Sequence, residues 1–155
     1  MDILLEVILP HFELFEGLER FQAMYEWEGV SHPQDPVVYR WGNKVELLDD
    51  RAQPHLLQFL PPNYISDDWI WLQIKEAGVD LLEQEVNGET VDWEGYRLDS
   101  FLEILLSRYE RWVLIFELHY DQIDNVYNLN VQECISKLRS NLVRSSAQEG
   151  FIAYT

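Results

Sequence analysis

The sequence predicts an α+β fold: a mostly antiparallel β-sheet with helices packed against it, in a single globular domain spanning residues 1–155. Three observations lead there. Helical periodicities and two-residue alternations are intermixed along the chain, Gly42-Asn43 and Asn87-Gly88 are strong turn dipeptides, and strand–helix–strand units do not recur regularly. A chain of 155 residues suits one core that buries about two thirds of the surface of its unfolded form.

The chain opens on an apolar run at 3–9, interrupted by Glu6 and closed by Pro10. Residues 12–27 predict an amphipathic helix, because Leu14, Leu18, Phe21 and Tyr25 share one face while Glu13, Glu16, Glu19 and Arg20 fall largely elsewhere. Val37, Tyr39 and Trp41 alternate as a strand over 37–41, and the Gly42-Asn43 turn leads into a second strand at 44–48. Asp50 can cap a short helix over 51–60, which tolerates Pro54 in its first turn and stops at Pro61-Pro62.

Residues 69–74 alternate again, with Trp69 and Trp71 on one face and Ile70, Leu72 and Ile74 on the other, as in a strand covered on both sides. Residues 79–86 read two ways. Val79, Leu82 and Val86 fit a helix, whereas Asn87-Gly88 before 90–93 favours a hairpin, which is the expectation adopted. Ser100 and Glu103 have the spacing of a capping box that opens a helix with Leu98, Phe101, Leu102, Leu105 and Tyr109 as its buried stripe.

Residues 112–120 predict the central strand, since Val113, Leu114, Ile115 and Phe116 in a row require burial on both faces. After a turn at 121–124 and a short strand at 126–129, Asn130 and Glu133 form a second capping signature. The helix it opens carries Val131, Cys134, Ile135, Leu138 and Leu142 on its apolar stripe, with Lys137, Arg139 and Arg144 toward its C-terminal end, where cations favour the helix dipole. A last edge strand is expected at 150–154.

Charge is distributed unevenly over this scaffold. Residues 1–100 hold 21 Asp and Glu against 6 Lys and Arg, and the remaining 55 hold 7 against 5. Such a surface repels nucleic-acid phosphates and anionic lipid, and it attracts basic proteins through a field that salt weakens. Six Trp, eight Tyr and seven Phe argue against a disordered acidic tail. Cys134, the single cysteine, forms no internal disulfide, and its place on an apolar stripe makes it core rather than nucleophile. The apolar opening is shorter than the ~20 residues of a span and follows Asp2 where an export signal carries Lys or Arg, so a cytoplasmic protein without membrane contact is expected.

Chemistry-bearing residues are few. Glu117, His119 and Asp121 alternate onto one face at the end of the central strand, where they could bind a divalent metal or orient a general base; equally, a strand leaving the core there presents polar residues to solvent. Asp49-Asp50 and Asp67-Asp68 are paired carboxylates that capping and an exposed turn account for. No His-Glu-x-x-His helix, phosphate loop, dinucleotide fingerprint or Gly-x-Ser-x-Gly elbow occurs, and no cofactor is expected. Trp41 and Trp93, each beside a turn and near acidic residues, are the aromatic candidates for a binding surface.

Leu60-Pro61-Pro62-Asn63-Tyr64, the Trp69-Ile70-Trp71-Leu72 strand, the hairpin at Asn87-Gly88 and Leu98-Asp99-Ser100-Phe101-Leu102 opening a helix, taken in that order, resemble the SUKH superfamily over residues 37–109. The chain departs from that pattern in the hairpin before the Leu-Pro-Pro element and in the extension at 112–155. The resemblance implies a non-enzymatic bacterial immunity protein that neutralises a toxin, often a nuclease or deaminase, by binding it. The acidic surface independently suits a basic protein partner, with Asp67, Asp68, Glu83, Glu85, Asp92, Glu94, Trp41 and Trp93 as candidate contact residues. A small metal-dependent enzyme using Glu117, His119 and Asp121, and an adaptor subunit of a larger assembly, are the alternatives.

Overall fold

The computed structural model describes residues 3–10, 37–43, 68–74, 76–89, 97–118, 125–144 and 149–155. They form an α+β domain, as expected: a six-stranded sheet and three helices. The strands are β1 (Ile3–Leu9), β2 (Val37–Asn43), β3 (Asp68–Ile74), β4 (Val113–Leu118), β5 (Val126–Asn128) and β6 (Phe151–Tyr154). The helices are α1 (Glu76–Val86), α2 (Leu98–Ser107) and α3 (Val131–Leu142). The strand order is β2-β3-β1-β4-β6-β5, and every neighbouring pair is antiparallel except β5 with β6. That one parallel pair is joined through α3, the crossover a parallel connection requires.

Alternation divides the sheet into two buried faces. Leu5, Val7, Leu9, Leu72, Ile74, Leu114, Phe116, Phe151 and Ala153 join the apolar stripes of the helices in one cluster. Phe116 lies opposite Phe151 in the β4–β6 register, and their rings sit 5.8 Å apart. Each fully buried leucine here is worth roughly 2 kcal/mol. On the opposite face Ile8, Val113, Ile115 and Ile152 are buried too, together with Glu6 and Glu117.

β4 lies between β1 and β6 and is buried on both faces, as its uninterrupted apolar run predicts. β1, read from sequence only as an apolar opening, pairs with β3 and β4 at the middle of the sheet. The last strand is not an edge: β6 lies between β4 and β5 with Phe151, Ile152 and Ala153 buried. Four residues are too few for alternation to separate an edge from an interior strand. Gly42 and Asn43 are not a turn either, because β2 continues through them, paired with Trp69 and Asp68. The expected strand at 44–48, the helices at 12–27 and 51–60 and the strand at 90–93 lie outside the described residues.

The hairpin expected across 79–88 is replaced by α1, whose Val79 and Leu82 are buried at its inner face. Asn87-Gly88 closes this helix. Gly88 adopts φ +78°, Gly88 N–H donates to Glu85 C=O at 3.3 Å, and Glu89 N–H donates to Gln84 C=O at 2.9 Å. This is a Schellman ending, and it needs the same positive-φ glycine that a tight hairpin needs, so the dipeptide alone could not separate the two. α2 begins at Leu98, two residues before the expected cap, and the first N–H groups of α2 are satisfied from elsewhere, as described below. α3 follows its sequence closely: Asn130 accepts from Glu133 N–H at 2.8 Å, Glu133 accepts from Asn130 N–H at 3.1 Å, and Cys134, Ile135, Leu138 and Leu142 are buried. Burial pushes the Cys134 thiol up to about 12, which suits a core residue and not a nucleophile.

Candidate functional site

Four described cations of the C-terminal half have side-chain partners within the fold. Arg97 grips Asp99 through Nε and Nη2 at 3.2 and 3.0 Å, and Arg139 Nη2 reaches the same carboxylate at 3.1 Å. Arg144 pairs with Glu83 at 3.2 Å and with Glu89. The Lys137 ammonium lies 4.4 Å from the Tyr127 ring centroid and 5.3 Å from that of Phe151. These partners tie α1, α2, α3 and the sheet together, although the three guanidiniums stay about half exposed.

α1 shows the imbalance most plainly. It holds Glu76, Asp80, Glu83 and Glu85 with no Lys or Arg, and Glu76, Asp80 and Glu83 recur at the spacing that stacks side chains on one helix face. Glu76 and Asp80 are exposed, whereas Glu83 is partly covered beside Arg144. Partial desolvation, and then the like charges of Glu76 and Glu83, hold the Asp80 carboxyl above its ordinary value. Three carboxylates in a row weaken a helix, so tertiary packing must hold α1.

Glu85 faces the other way. Only 4% exposed, it accepts the N–H groups of Leu98 at 2.7 Å and Asp99 at 3.0 Å, capping the first turn of α2 from α1. Asp99, 3% exposed, in turn accepts Ser100 N–H at 2.7 Å and both guanidiniums. Of the expected contact residues, Glu85 is therefore committed to the interior, because its carboxylate serves orphan donors of a helix terminus. Glu83 remains half-covered at the surface.

Asp68 opens β3, opposite Asn43, and Trp41 lies on β2 opposite Ile70. Their side chains, and Asp67, Asp92, Trp93 and Glu94 entirely, lie outside the described residues, as do His119 and Asp121. Glu117 is placed, and it does not meet solvent. It is 1% exposed on the face of the sheet opposite the helices, where the β1–β4 register makes Glu6, also 1% exposed, its diagonal neighbour. Glu6 was missed because a single carboxylate in an apolar run gives no sign of the strand across from it. Among the described residues no group of three His, Cys, Asp or Glu side chains could hold a metal ion, and no helix is long and apolar enough to cross a membrane.

A shallow cleft of about 600 Å³ runs along α3 and β5, lined by Tyr127, Leu129, Glu133, Ser136, Lys137 and the adjoining Ser140 and Asn141. Two of its polar side chains hold the fold. Glu133 completes the capping box, and Asn141 donates to Lys137 C=O and accepts Glu149 N–H, both at 3.0 Å.

No family model, curated protein or solved structure matches this chain.

Proposed function

We propose that this chain is a non-enzymatic, acidic protein-binding domain that neutralises a basic toxin acting on nucleic acid. The observation that carries the reading is the division of charge. With a net charge of −17, the protein pairs Arg97 and Arg139 with the buried Asp99, and Arg144 with Glu83 and Glu89, while α1 presents Glu76 and Asp80 at the surface. An acidic face of this kind speeds encounter with a cationic cleft and competes with nucleic acid for it. The resemblance of residues 37–109 to the SUKH superfamily, although α1 stands where its hairpin at Asn87-Gly88 was expected, supports a toxin as the partner. The mechanism is occlusion and requires no catalytic residue.

The test is rescue and kinetics together. Co-expression with a toxin encoded beside the gene should restore growth, and the purified pair should associate more slowly as salt rises. Reversing the α1 charge with E76K and D80K should slow association further. Failure of rescue, with no binding to that toxin at low salt, would remove the reading.

A further inference from the structure

We propose that β5 is a self-association edge, at which two copies of this chain pair antiparallel about a two-fold axis beside Tyr127. Among the described residues β5 is the outermost strand, with β6 on one side and no strand on the other. Its ladder to β6 uses alternate residues. Asn125 C=O accepts Ile152 N–H and Leu129 N–H donates to Tyr154 C=O, both at 2.9 Å, which in this parallel register turns the main-chain groups of residues 125, 127 and 129 toward β6. The N–H and C=O groups of Val126 and Asn128 therefore point away from the sheet.

An open edge ordinarily carries a guard, such as a charge or a proline, against pairing with another chain. Residues 125–130 read Asn-Val-Tyr-Asn-Leu-Asn and contain neither. Asn125, Tyr127 and Asn128 are exposed, Tyr127 at 36%. Charge selects the occupant. β1, β2 and β3 belong to the first 100 residues, with 21 Asp and Glu against 6 Lys and Arg, whereas β5 lies at the far end of the sheet among residues that hold 7 against 5. Two copies joined through β5 keep their acidic halves at opposite ends, the arrangement in which like-charged molecules repel least.

The edge is also complementary to itself. With Tyr127 opposite Tyr127 of the second copy, Val126 lies opposite Asn128 and Asn128 opposite Val126, and each of these pairs exchanges main-chain hydrogen bonds in both directions. The two tyrosines take the intervening position, where side chains of an antiparallel pair come closest and aromatic pairs are favourable. The Lys137 ammonium, 4.4 Å from the Tyr127 centroid, places that ring on the α3 side of the sheet, beside the cleft lined by Leu129, Ser136 and Ser140. Pairing joins the two clefts into one trough between the α3 helices. A contact of this kind is isologous and closes at two copies.

Sedimentation equilibrium of the whole chain, with amide exchange at Val126 and Asn128, tests this. Dimers should form with rising concentration and tighten with salt, which screens the repulsion between acidic copies, and both amides should gain protection in step. Asn128→Pro removes an outward N–H without touching the ladder to β6, so it costs half of the added hydrogen bonds and should weaken the dimer at least about tenfold. Tyr127→Glu and Tyr127→Lys put like charges across the axis; each should be monomeric alone, and mixing the two should restore a dimer. This pair keeps the test open if Asn128→Pro does not fold. The proposal is overturned by a chain that stays monomeric up to about 1 mM, a binding free energy weaker than about −4 kcal/mol. Growth beyond two copies, or a dimer indifferent to all three variants, would overturn it as well. So would protection of the two amides that appears only when the toxin of the proposed function is added, since that outcome assigns the edge to the toxin.

Discussion

α1 and α3 are similar in length and pack against each other, yet they are held by different means. α3 supplies its own start: Asn130 and Glu133 exchange hydrogen bonds three residues apart, and Arg139 sits in its last turn. α1 has an acidic residue in its first turn, no basic residue in its last, and three carboxylates on one face. Its stability is borrowed from distant chain. The Asn87 carboxamide donates to Leu142 C=O at 3.0 Å and accepts Arg144 N–H at 3.2 Å, and Arg144 pairs with Glu83. The lesson is that a helix with local caps can carry a neutral or basic surface, whereas one pinned by tertiary partners can afford an acidic one.

The contrast can be broken from either side. Glu85→Ala should have the largest effect, because it leaves two buried N–H groups of α2 without an acceptor, and a loss of about 3 kcal/mol is expected in urea unfolding. Asn130→Ala removes the local cap of α3 and should cost about 1 kcal/mol by the same measurement. An equal loss in the two variants would show that α2, capped from α1, depends on its borrowed cap no more than α3 does on its local one. Gly88→Ala should also cost about 1 kcal/mol, purely from its positive φ, since an added Cβ meets nothing within 4 Å. A neutral result there would show that the end of α1 needs no left-handed residue.

pH sharpens the same comparison. Asp80 and Glu85, raised from 3.8 and 4.5, bind protons more tightly when folded, so their contribution to stability grows as pH falls from neutrality through their folded values. Asp99 and Glu89, lowered from 3.8 and 4.5 with Arg97 and Arg144 as their respective cations, stabilise above those values and lose that contribution as pH falls through their folded ones. The thermal midpoint should therefore rise as pH falls from neutrality toward the ordinary carboxylate values of 4.5 and 3.8, and fall below them as the lowered groups are protonated. A steady decline from neutrality would contradict the assignment, and E85Q should flatten the rising limb.

The same distinction explains what could be read from the chain. α3, the stripe of α2 and the doubly buried β4 were legible because their signals are local: a capping box, a 3.6-residue period, an unbroken apolar run. α1 was misread because Asn87-Gly88 serves a hairpin and a helix end equally, and the partners that decide between them, Leu142 and Arg144, lie more than fifty residues away. Position in the sheet was hidden for the same reason, since nothing in residues 3–9 or 151–154 announces which strands they will join. The acidity of the N-terminal two thirds was plain from composition. Which carboxylates face outward was not: Glu85 and Asp99 turn inward, and Glu76 and Asp80 remain outside.

That outward acidity is the central claim, and on the proposed function the rate of association with a cationic, nucleic-acid-acting toxin tests it most directly. From about 50 to about 500 mM salt the rate constant should fall by at least tenfold in the native protein, and by much less in the E76K/D80K variant, with dissociation nearly unchanged in both. A rate that ignores salt, or a variant whose salt dependence matches the native protein, would contradict it.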